Sequence, residues 1–237
     1  MMRKTSLLTI AALLGAGLAS ACAAENGRTE DKKAEKPADS PSVAVIEDDV
    51  WLPWRFEPLV WEDSAQVHYR QKEEKAAANE LRKAESWLKF AASHSLPESK
   101  KALQAAESDL ASLAADLEQG NLVDATRLDY ALARADHALA QWHYFRARAA
   151  LGQMEETAAA TDLRTAARYL QHAADSARYE YGPDTATFFE DMDEYGRAVD
   201  EGTTIEPNFL TSHLTALERE IQKMATTLDE AVKKDKV

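Results

Sequence analysis

From Ser64 onward the apolar residues recur at alternating steps of four and three, a spacing that stacked α-helices satisfy and β-strands do not. Ala77, Leu81, Ala84, Leu88 and Ala91 form one such seam, and Leu103, Ala106, Leu110, Leu113 and Leu117 a second. Leu128, Ala131, Ala135, Leu139 and Trp142 form a third, and Leu210, Leu214, Leu217, Ile221, Met224 and Leu228 a fourth. Each stripe occupies one helix face and has to be buried against another helix. Alanine at many seam positions lets the helix axes approach closely. Pro97 and Pro183 read as helix openers and Pro207 as a first-turn residue, while Gly120, Gly152, Gly182 and Gly202 mark turns. The chain is therefore expected to be all-α.

It also repeats itself. Residues 73–92 align without a gap to residues 155–174, an offset of 82. Many of the matches are alanine, so the evidence lies in Glu73, Glu74, Leu81, Arg82 and Leu88, which recur as Glu155, Glu156, Leu163, Arg164 and Leu170. Gly120 and Gly202, Leu128 and Leu210, and Leu132 and Leu214 keep the same offset. This pattern predicts a bundle of about six helices built from two tandem three-helix units, 63–151 and 152–237, packed as one domain. Arg82 and Arg164 each follow an acid by two residues, a spacing that cannot pair along a helix, so each is expected to reach a carboxylate on another helix.

The first residues are of a different kind. Residues 1–21 have a basic start at Arg3 and Lys4, an apolar run from Leu7 to Leu18 and small residues after it, the pattern of an export signal. Residues 22–49 are mostly charged and small, too polar to form a core, and read as a disordered tether. A coil of that length spans roughly 30 Å. Residues 50–62 then concentrate Trp51, Trp54 and Trp61 with two prolines and read as an extended strap packed across the helices, or else as a partner-binding segment. With Arg3 and Lys4 removed, the formal net charge moves from −13 to −15, which opposes binding to nucleic acid or anionic lipid. The single cysteine excludes an internal disulfide.

Leu18-Ala19-Ser20-Ala21-Cys22 resembles the lipobox of bacterial lipoproteins. The resemblance implies that Cys22 becomes the first mature residue and carries lipid, and that Ala23, not being aspartate, sends the protein to the periplasmic face of the outer membrane. The alternative is ordinary cleavage to a soluble periplasmic form. Over about a third of the chain the body is similar to the YfdX-type periplasmic helical proteins, through Ala147-Arg148-Ala149-Ala150-Leu151 and the alanine/leucine helix after the turn. That resemblance brings no catalytic residue.

Phosphate-loop, zinc-protease, CxxC and nucleophile-elbow signatures are absent, and no histidine has a glutamate three residues before it, as di-iron bundles require. No catalytic residue, metal site or cofactor is expected from these motifs. His143, Tyr144, Arg146 and Arg148 form the most suggestive local group: a candidate ligand site, or seam aromatics with arginines paired to carboxylates. Glu190, Asp191, Asp193 and Glu194 fail as an EF-hand, because Tyr195 and Gly202 stand where oxygen ligands belong, and read as a solvated helix face. The leading expectation is a non-enzymatic helical interaction or scaffold protein of the cell envelope, anchored by Cys22, with an unidentified protein partner, the Trp51, Trp54 and Trp61 strap as a possible binding surface, and self-association open. The alternative is a periplasmic small-ligand or metal carrier with its site between the two halves. A hydrolase with scattered carboxylates ranks last.

Overall fold

Pro58, Pro97, Pro183 and Pro207 each stand in the first turn of a helix, where a missing N–H costs nothing. The computed structural model describes residues 55–200 and 207–234. Among them are seven helices and no strand: α1 Glu57–Arg70, α2 Glu74–Ser93, α3 Pro97–Glu118, α4 Ala125–Gly152, α5 Glu156–Ala177, α6 Pro183–Asp200 and α7 Pro207–Lys234. Every residue of the four seams is buried. None of the helices is long and apolar enough to cross a membrane.

Three expectations change. The segment 50–62 is not extended throughout, because α1 begins at Glu57: Pro58 falls in its first turn, where a proline pre-sets helical φ instead of breaking the helix. Trp61 is therefore a half-buried helical residue, and the described helices number seven where about six were expected. Gly152 is the last residue of α4 and not part of the turn that follows. Trp51, Trp54, Cys22 and the tether lie outside the described residues.

Short connections make consecutive helices antiparallel neighbours, and the ion pairs fix their register. Arg127–Asp116 (2.7 Å) and Arg134–Asp109 (2.9 Å) tie α4 to α3, one partner moving seven residues forward as the other moves seven back. Arg82 binds Glu118 of α3 through Nε (2.9 Å) and Nη2 (3.1 Å), the inter-helix carboxylate expected of it. These pairs sit at the surface, so they select register more than they stabilise.

α4 is the hub. It packs most extensively on α5, then on α3 and α7, and also touches α1 and α2. α7 lies against α4 and α5, and α6 rests mainly on α5.

The helix ends repeat one solution. After α3, the Asn121 N–H returns to the Asp116 carbonyl (2.9 Å) and the Gly120 N–H to Leu117 (3.1 Å), with Gly120 at φ 73°. Such a stop uses a left-handed residue, which glycine adopts without strain. The α1–α2 and α4–α5 connections make the same turn with Lys72 at φ 63° and Met154 at φ 61°, and Glu73 and Glu155 bond back to His68 (2.9 Å) and Ala150 (3.0 Å). A lysine and a methionine there carry a left-handed strain of about 1 kcal/mol each.

Candidate functional site

α4 places two titratable residues where its apolar face meets α5. Asp136 stands between Leu132 and Leu139 along the helix, and His143 one turn past Leu139; both are fully buried. α5 answers with His172 and Asp162. Because the two helices are antiparallel, the four residues form reciprocal pairs across the interface. His172 Nδ1 meets Asp136 Oδ2 at 2.6 Å, and His143 Nδ1 meets Asp162 Oδ1 at 2.7 Å.

The two pairs differ in what surrounds them. Asp162 also accepts from Arg146 Nε at 3.1 Å, and the Arg146 guanidinium lies 5.1 Å from the centre of the Trp142 ring. Burial pushes the Asp162 carboxyl up, but the bond from His143 and the charge of Arg146 outweigh it and hold the group below its ordinary value. Burial keeps His143 neutral, lowering its pKa against the pull of Asp162. One carboxylate, one arginine and one neutral imidazole close this network electrically.

Around Asp136 the balance tips the other way. α1 turns Pro58, Glu62 and Ala65 inward, so a glutamate occupies a position that helix packing would give to an apolar side chain. Glu62 is 1% exposed, and its Oε2 lies 3.8 Å from His172 Nδ1. One oxygen each of Glu62 and Asp136 and a ring nitrogen of His172 all lie within 4.8 Å of one another. Among the described residues no N–H donates to either oxygen of Glu62 or to Asp136 Oδ1; the two carboxyl groups instead hydrogen-bond each other, Glu62 as the protonated partner. The neighbouring Asp63, largely exposed, accepts from His172 Nε2 at 3.1 Å.

The electrostatics follow from that crowding. Burial, then the charge of Asp136, lifts the Glu62 carboxyl well above the ordinary range. Burial also lifts Asp136, opposed by its bond to His172. Burial alone would depress His172, but the bonds and charges of Asp136 and Asp63 prevail and raise it to about 9. Three acids therefore surround one imidazole.

Tyr169 joins the two networks. Its ring stacks on His143 at 5.7 Å, and its hydroxyl donates to the Arg55 carbonyl just before α1. Burial and the charges of Glu62 and Asp136 raise the phenol pKa, so it stays a donor.

The group His143, Tyr144, Arg146 and Arg148 does not form one site. His143 and Arg146 turn to Asp162 on α5, whereas Tyr144 interacts with Arg148 and with Glu218 of α7. Trp142 is buried in the seam. Glu190, Asp191 and Glu194 are exposed on α6, as a solvated face requires.

Glu62, Asp136 and His172 were not singled out from the sequence. They come from three helices with no short motif between them. The available signal was Asp136, a carboxylate inside an otherwise apolar stretch from Ala131 to Ala140 broken only by Arg134, Asp136 and His137. The chain matches no family model, no curated protein and no solved structure.

Proposed function

We propose that this chain is an exported, non-enzymatic carrier of the bacterial cell envelope, anchored through lipid on Cys22 at the periplasmic face of the outer membrane. Its cargo is a small cation, held at Glu62, Asp136 and His172. The observation that carries this reading is the convergence of two buried carboxyl groups, Glu62 and Asp136, on His172, with no N–H from the described residues on either Glu62 oxygen. A buried acceptor left without a donor costs about 1–3 kcal/mol, and two buried acids beside each other cost more still while both are charged. A positive ligand supplies what they lack.

The location agrees with the tandem organisation: Asp136 belongs to the first unit, His172 to the second, and Glu62 closes the strap. The unit assignment is supported by the matching left-handed turns at Lys72 and Met154, which stand at the sequence offset of 82.

If the cluster serves a ligand at the expense of the fold, removing Glu62 stabilises the cation-free protein. Glu62→Met keeps the volume and leaves the Asp136–His172 pair intact. Its expected gain is about 1 kcal/mol, and for a chain of this size each kcal/mol moves the melting temperature by roughly 2–4 °C. A melting temperature lowered by several degrees in chelator would show the cluster to be structural and remove the support for the reading.

A second reading, the helical interaction protein, draws on Leu122, 98% exposed, and Met154, 81% exposed, at the loops flanking α4. In-cell crosslinking through either position distinguishes it: a discrete partner adduct supports docking, and none supports the carrier.

A further inference from the structure

We infer that the cation is a single first-row divalent transition-metal ion, bound by Glu62 and Asp136 through oxygen and by His172 through Nδ1, with Asp63 holding the imidazole from behind. This rests on the cation-carrier reading and specifies its cargo.

Three geometric facts select a metal ion. The first is size. Donor atoms that all lie within 4.8 Å of one another enclose a space suited to an atom about 2.0–2.2 Å from each, the bond length of Zn²⁺ to nitrogen and oxygen ligands. An organic amine would need room for its carbon skeleton as well.

The second is the unmet demand of the ligands. Glu62 is 1% exposed with no N–H from the described residues on either oxygen, and Oε2 lies 3.8 Å from the ring nitrogen that Asp136 also faces. The 2.6 Å contact between His172 and Asp136 is shorter than neighbouring ligands keep around one metal. Binding therefore opens it and releases the proton that the pair shares.

The third is the partner of the ring's far nitrogen. Asp63 takes the Nε2–H at 3.1 Å and keeps it when a metal ion displaces the proton that Nδ1 shares with Asp136. A carboxylate behind a metal-binding histidine orients the ring and raises its basicity, and loss of such a partner typically weakens binding 10–100-fold. Asp63 is thus a positioning residue.

The donor set also ranks the metals. Calcium prefers six to eight oxygens and no imidazole, whereas one nitrogen with two carboxylates suits Zn²⁺, Fe²⁺ and Mn²⁺. Affinity should run Zn²⁺ above Mn²⁺, with Ca²⁺ weakest.

The test is calorimetric titration of the full exported chain, in detergent and after chelator treatment, with Zn²⁺, Mn²⁺, Ca²⁺ and putrescine. Glu62→Gln, His172→Gln and Asp63→Asn are titrated in parallel, each checked for helix content by circular dichroism. Two ligand variants guard against one failing to fold. The expected result is one equivalent of Zn²⁺ at the tightest affinity, weakened at least tenfold in both ligand variants and less in Asp63→Asn. Zn²⁺ bound equally by wild type and ligand variants overturns the metal assignment, the ion then being held by surface acids. Putrescine bound in place of metal, and lost in Glu62→Gln, overturns the metal and leaves the carrier. No binding of any of the four overturns both.

Discussion

Asp162→Ala is expected to cost about 3 kcal/mol, because it leaves a fully buried His143 with an unmet Nδ1–H and removes the buried carboxylate that Arg146 shares with it. Arg146 is 37% exposed and can turn to water, which keeps the loss below that of a wholly buried ion pair. At roughly 2–4 °C per kcal/mol, the melting temperature falls by about 6–12 °C. The acid limb of the stability curve changes too. A carboxyl held below its ordinary value of 3.8 stabilises the fold above that pH and loses its contribution as pH falls through the folded value. The variant lacks that part of the acid slope, so its deficit is largest near neutrality and narrows below pH 3.8. A loss under 1 kcal/mol by denaturant titration would mean that the His143 network does not hold α4 to α5.

Trp142→Ala should cost more, about 4 kcal/mol. The ring is the largest side chain that the core encloses completely, 1% exposed on the hub helix, and its removal opens a cavity between α4 and its neighbours. The companion Trp142→Phe separates packing from polar contacts. The indole N–H has no acceptor, so losing it costs nothing, and phenylalanine fills most of the space. The expected penalty for Trp142→Phe is below about 1.5 kcal/mol. Equal losses for the two variants would contradict the account of Trp142 as a volume-filling residue.

These residues show how far the sequence could be read and where it stopped. The seams were legible because helix burial leaves a periodic trace: Leu81, Leu110, Leu139 and Leu217 each sit on a 3–4 stripe, and each is buried. Arg82 was legible in part: the two-residue spacing keeps it from Glu80 and it reaches Glu118 on α3, but it also pairs with Glu85 one turn along its own helix at 2.8 Å. Pro58 misled because a proline marks a helix start as readily as an interruption, and only packing against the other helices decides between them.

The cluster at Glu62 was illegible for a different physical reason. Asp136 and His172 lie 36 residues apart and meet only because α4 and α5 are antiparallel in one particular register. A search for glutamate three residues before histidine tests neighbours along one helix and is blind to neighbours across two. The residue three before His172 is Tyr169, one turn away and stacked on His143, so the helix face was visible while its partner was not. The convergence of Glu62, Asp136 and His172 is a three-dimensional property with no sequence signature.

The central claim is that this cluster holds a cation, and the most direct test weighs the protein as the cell makes it. A native mass spectrum of the full chain, isolated from its native cells in metal-free detergent buffer, should show a mass excess that survives desalting and is missing from Glu62→Gln. A bare wild-type chain, or the same excess on both proteins, would contradict the account.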